Sequence, residues 1–182
     1  MMRFLLLPLV LLGALGCSAS PSPKVPAAPP VPAAPRRWVV ISAEEAPNVF
    51  VQCSRPAPRE KDGPFWAPSA AEIEGLEAGL GGYLREKGHA KQGDDLSRFY
   101  RQYVGFVRSG RKLIYLNAFS ADELENDLRL CREYPGQMPK DLCDPDEWRH
   151  PTTITCDGGD DYWGLEYDPQ TKDYSQLAFN GE

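Results

Sequence analysis

Basic residues are scarce in this chain, and more so than the overall 20 Lys and Arg against 26 Asp and Glu suggest. Arg3, Lys24, Arg36 and Arg37 all precede Trp38 and no acid does, so residues 38–182 hold 16 basic against 26 acidic side chains. A net charge of about −10 excludes a surface that grips phosphate backbones, which depends on clustered Lys and Arg, and no nucleic-acid partner is expected. Anionic lipid would repel such a surface as well. Long apolar runs are missing too. The run from Phe4 to Gly16 is interrupted at Pro8 and Gly13, whereas a helix that crosses a bilayer needs about 20 consecutive apolar residues. Histidine is limited to His89 and His150, and no two cysteines stand in a C-x-x-C pair, which excludes the standard zinc spacings. A Gly-rich phosphate loop, a G-x-S-x-G elbow, an EF-hand pattern and an internal repeat are all absent. No catalytic residue, metal ligand or cofactor is therefore assigned.

What is present begins at the N-terminus. Arg3 and the short apolar run have the charge and length of a signal peptide, expected to cover residues 1–16. Ala14-Leu15-Gly16-Cys17 resembles the lipobox of bacterial lipoproteins, with Leu15 and Ala14 exchanged relative to the usual order. The resemblance implies acylation of Cys17 and a membrane contact made through lipid. Ser18 at the next position implies, by the sorting rule of the same proteins, an outer-membrane address facing the periplasm. Residues 17–37 are dominated by Pro and Ala, too small and too rigid to build a core, and should run as an extended spacer of about 3.1 Å per residue. A domain of residues 38–182 would hang from it.

Setting Cys17 aside leaves Cys53, Cys131, Cys143 and Cys156, an even number that in an exported chain implies two disulfides with three possible connectivities. Cys131 with Cys143 and Cys53 with Cys156 is the favoured pairing.

Residues 38–182 are about one domain in size. Trp38 to Ser42 and Asn48 to Cys53 read as short strands or a hairpin, followed by a Pro- and charge-rich loop. The clearest helix opens at Ser69, where Glu72 completes a capping box, and Ile73, Leu76, Leu80, Tyr83 and Leu84 make one apolar stripe that ends near Gly88. Phe99 to Val107 and Leu113 to Phe119 form a hairpin through Arg108-Ser109-Gly110-Arg111. A second capping box, Ser120 to Glu123, opens a helix carrying Leu124, Leu128 and Cys131 on one face. Strands are expected at Thr153 to Cys156, Tyr162 to Tyr167 and Tyr174 to Phe179. These elements predict a single α+β domain, an amphipathic helix packed on an antiparallel sheet. Their order is similar to the cystatin-like and NTF2-like folds, an analogy that concerns fold and not function. The tail from Cys156-Asp157-Gly158-Gly159 through Tyr167-Asp168-Pro169 to Asn180-Gly181 resembles the ends of bacterial envelope lipoproteins.

One patch concentrates chemistry: Asp157, Asp160 and Asp161 beside Tyr162 and Trp163, with Trp148 and His150 shortly before. Carboxylates and aromatics on a glycine turn suit a binding surface for an envelope protein or a glycan. The alternative is a carboxylate-dependent hydrolase acting on glycans, which requires a second acid or base across a groove. The bland reading keeps the aspartates in a turn and the rings in a sheet face.

Overall fold

A computed structural model describes residues 36–52, 55–58, 62–151 and 156–181. The expected signal peptide, Cys17, nearly all of the tether, Cys53 and all but Cys156 of the expected strand at Thr153 to Cys156 lie outside the described residues. The chain divides into Met1–Ala34 and Pro35–Glu182, and the described residues all belong to the second unit. Among them no helix is long and apolar enough to cross a membrane.

Helices and one five-stranded sheet make an α+β fold. Strands β1 (Trp38–Val40), β2 (Phe99–Arg108), β3 (Arg111–Ser120), β4 (Gly159–Asp168) and β5 (Asp173–Asn180) lie side by side in chain order. The sheet is mixed and not antiparallel throughout as expected, because β1 runs parallel to β2, with Trp38 opposite Arg101 and Val40 opposite Tyr103. Parallel neighbours need a long crossover, and the segment holding helix α2 (Ala70–Glu86) supplies it. The remaining pairs are antiparallel. Between β2 and β3 the turn Ser109-Gly110 has φ of 52° and 79° at its two central residues, the left-handed backbone that matches a two-residue hairpin to strand twist.

Helix α2 forms where its sequence signals place it. Ser69 accepts from the Glu72 backbone N–H while the Glu72 carboxylate accepts from the Ser69 N–H, 2.8 Å away. Ile73, Leu76, Leu80 and Leu84 are buried and pack on Tyr103, Ile114, Leu116, Trp163 and Leu165. Tyr83, at the edge of the stripe, stacks on Tyr174 at 4.8 Å.

The opposite sheet face is also covered, which the sequence reading did not foresee. Helix α1 (Ala46–Val49) stands inside the segment expected as a second strand. Pro47 fits a helix's first turn, where its missing N–H has no partner to lose, and Ala46 and Val49, three residues apart, bury together against Val104, Phe106 and Tyr115. After β1 leaves the edge of β2, Trp66 takes its place, exchanging two backbone hydrogen bonds of 2.9 Å with Gly105. A Cβ on Gly105 would lie 2.4 Å from the Trp66 ring and 2.5 Å from its carbonyl oxygen. Gly105→Ala should therefore cost about 1–3 kcal/mol through overpacking, read as a lower urea midpoint. An unchanged midpoint would mean that Trp66 does not sit on this strand.

Helix α3 (Ala90–Asp94) follows α2, and helix α4 (Ala121–Glu133) follows β3. The Cys131–Cys143 disulfide is present, with Cα atoms 5.7 Å apart. Cys156 is also disulfide-bonded. At the start of α4 Ser120 caps the helix, but the expected capping box with Glu123 does not form: Ser120 Oγ accepts from the Asp122 N–H at 3.3 Å.

Candidate functional site

Strand register decides what the acidic patch becomes. Phe119 faces Tyr162 across the β3/β4 pair, so the first turn of α4 stands beside the beginning of β4. Asp157, Asp160 and Asp161 are exposed there. Strand β4 starts at Gly159, three residues before the expected strand, which leaves Asp157 in the preceding bend with φ of 52°, a conformation Asp tolerates better than most residues. The Asp160 carbonyl accepts from Gln92 Nε2 at 3.3 Å, tying α3 to this corner.

Glu123 and Asp127, one turn apart on α4, join the patch from a distant part of the sequence. Burial first, then the neighbouring Asp127 and Asp161 carboxylates, push the Glu123 carboxyl above its ordinary range. Among the described residues none of Asp157, Asp160, Asp161, Glu123 and Asp127 forms an ion pair. Adjacent acids of α4 do: Asp122 meets Arg98 at 3.5 Å and Glu125 meets Arg37 at 3.0 Å. The corner is thus a local excess of negative charge drawn from two elements. Among the described residues no group of three or more His, Cys, Asp or Glu is arranged to hold a metal ion.

The aromatic half of the sequence-derived patch belongs elsewhere. Trp163 has no exposed surface and its ring meets the edge of Phe99 at 5.5 Å, on the α2 side of the sheet. Tyr162 points to the other face and is buried against Phe119 and Trp148. Trp148 stacks on Tyr100 at 4.5 Å. His89 stacks on Phe179, and His150 offers its carbonyl to Gln102 Nε2 at 2.6 Å. Tyr162, Trp163 and Trp148 are all buried and offer no open ring face for stacking.

The carboxylates that are buried are held by guanidinium groups. Glu77 accepts from Arg101 Nε at 2.7 Å and also takes the Tyr103 hydroxyl. Asp62 and Glu166 share Arg108 at 2.8 and 2.7 Å. Burial alone would raise the Asp168 carboxyl, but Arg111 and the backbone N–H groups of Gln170 and Thr171 outweigh it and hold the group below its usual range. These arrangements neutralise charge inside the fold.

Across the second sheet face runs a polar row that sequence reasoning missed. Asn117 Nδ2 donates to Gln102 Oε1 at 2.9 Å, and Gln102 Nε2 donates to the Trp148 carbonyl at the same distance. Arg55 lies over this row, bonded to Asn117, Asn180 and Tyr115. Alternation along β2 and β3 places Gln102 and Asn117 beside apolar neighbours, and nothing local marks them as buried. No family model, curated protein or solved structure matches this chain.

Proposed function

We propose that this chain is an outer-membrane lipoprotein, held by acylated Cys17 on a Pro/Ala spacer, whose α+β domain binds a cationic envelope protein through its acidic corner without catalysing a reaction. The observation that carries the reading is the meeting of Glu123 and Asp127 of α4 with Asp161 of β4, beside Asp157 and Asp160 in the chain, with no ion pair to any of the five among the described residues. Such a surface lowers its own repulsion when a Lys- or Arg-rich segment docks, and its field steers that segment during encounter. A protein partner fits better than a glycan, because Tyr162 and Trp163, the rings a sugar would stack on, lie in the core. Catalysis finds less support, since the buried carboxylates are already bonded to arginines. One long helix followed by four consecutive antiparallel strands supports a cystatin-like or NTF2-like fold as the scaffold.

A hexalysine peptide, titrated at low and moderate salt, tests the reading. Asp160→Asn with Asp161→Asn should weaken binding about tenfold, flatten its salt dependence, and change stability by less than about 0.5 kcal/mol. The control pair Glu44→Gln and Glu86→Gln removes the same charge from exposed positions outside the corner and should have a much smaller effect. Equal losses in both pairs would reduce the corner to a share of the overall charge and end the proposal.

A further inference from the structure

A buried charge is costly unless it is paired; among the described residues the buried Arg101 obeys that rule, and so does Arg108, whose side chain is 35% exposed. Arg101 is bonded to Glu77, and Arg108 to Asp62 and Glu166. Arg55, only 6% exposed, is the exception. It forms no ion pair among the described residues, and its partners are neutral: the Tyr115 hydroxyl at 3.2 Å, Asn180 Oδ1 at 2.9 Å and Asn117 Oδ1. Glu166, on the same sheet face, is already taken by Arg108.

A guanidinium carries five N–H donors, two on each terminal nitrogen and one on Nε. Arg55 spends the Nε donor on Tyr115 and one donor of each terminal nitrogen on an asparagine. One N–H therefore remains on each terminal nitrogen, and guanidinium N–H groups are strong donors to a carboxylate. Three neutral contacts also fix the group in place, so little side-chain freedom is left to lose on binding.

Arg55 lines a cavity of about 680 Å³, within the range of small-molecule sites, which are mostly apolar with a few placed polar groups. Its other walls are largely apolar. Phe50 and Phe65 pack at 5.3 Å, Pro47 and Ala57 add carbon surface, and Val51, 56% exposed, contributes at the solvent side.

We propose that this cavity binds a small organic carboxylate with an apolar body, its carboxylate on Arg55 and its body against the Phe50 and Phe65 side of the wall. The ligand supplies a negative charge that Arg55 receives from none of the described residues. This site is separate from the acidic corner, and neither proposal depends on the other.

The test is calorimetric titration of the full chain in lipid nanodiscs at neutral pH, with empty nanodiscs subtracted. The ligand is 4-phenylbutanoate, and the neutral control is its amide, which has the same body. The carboxylate should bind at least tenfold more tightly than the amide. Val51→Glu places a like charge at the mouth and keeps Arg55 untouched; it should weaken the carboxylate tenfold or more and leave the amide nearly unchanged. Arg55→Met should bring the acid-to-amide ratio close to one, and if that variant fails to fold, Val51→Glu decides alone. Equal binding of acid and amide, no binding of either, full carboxylate affinity in Val51→Glu, or a retained preference in folded Arg55→Met would each overturn the proposal and leave Arg55 a structural cross-tie.

Discussion

Trp163→Ala should lower stability by about 3–5 kcal/mol, the usual cost of deleting a large aromatic from a packed core. The ring has no exposed surface, stands edge-on to Phe99, and lies 6.5 Å from Phe179 within the cluster that α2 covers. Removing it would leave a void under α2 that the stiff strands around it cannot fill. For a domain of this size the loss corresponds to a fall in Tm of order 10 °C. It is also a large share of the roughly 5–15 kcal/mol that holds an ordinary domain folded. Trp163→Phe separates the ring's volume from its polar atom. Trp163 Nε1 is buried and donates to no acceptor among the described residues, so the smaller ring loses some contact area but also removes an unsatisfied donor. It should cost less than half as much as alanine. An alanine variant with an unchanged midpoint would put the ring back on the surface, beside Asp160 and Asp161.

Adjacent residues of a strand point to opposite faces, and that rule explains how the sequence patch divides. Tyr162 and Trp163 cannot share a side of β4, and because both sides of this sheet are covered, both rings are buried. What hid the second cover was its composition. Residues 46–66 read as a β-rich run and a polar loop, since Val49-Phe50-Val51 favours strand and the rest is rich in proline and charge. In the fold they become α1, the Trp66 bridge and the Arg55 cross-tie, each fixed by a contact with the distant strands β2 to β5. Local signals succeeded where the interaction itself is local. Ser69 with Glu72, Ser109-Gly110, and Cys131 with Cys143 each involve residues near in sequence, and each forms as expected. The acidic corner sits between these cases. Asp157, Asp160 and Asp161 are legible as a cluster, but Glu123 and Asp127 enter through the β3/β4 register, which no short motif encodes. The parallel placement of β1 is hidden for the same reason, since three residues of strand carry no mark of their partner's direction.

Arg108→Met should be the most damaging single change on the polar side of the sheet, at about 3 kcal/mol. Arg108 joins three pieces of chain: it belongs to β2, donates to Asp62 in the covering loop through Nε at 3.1 Å and Nη2 at 2.8 Å, and donates to Glu166 on β4 through Nη1 at 2.7 Å. Both carboxylate side chains are 7% exposed while the arginine is 35% exposed. Solvent screens one end of the network and barely reaches the other. Exposed ion pairs contribute little, whereas removing the cation from buried carboxylates costs about 3–5 kcal/mol; the mixed exposure places this network at the lower end. Methionine keeps much of the arginine stem's apolar contact and so isolates the loss of charge. Adding Glu166→Gln to Arg108→Met removes one of the two carboxylates left without that guanidinium, and the double variant should recover about 1 kcal/mol or more, a coupling visible in a double-mutant cycle. Hydrogen exchange should quicken around residues 62–66 before it does in β3, because the Asp62 contact helps hold the loop that carries Trp66 onto β2. An Arg108→Met variant as stable as the parent, or a double variant weaker by the plain sum of its parts, would show that the network carries no such charge coupling and that packing alone holds the loop to the sheet.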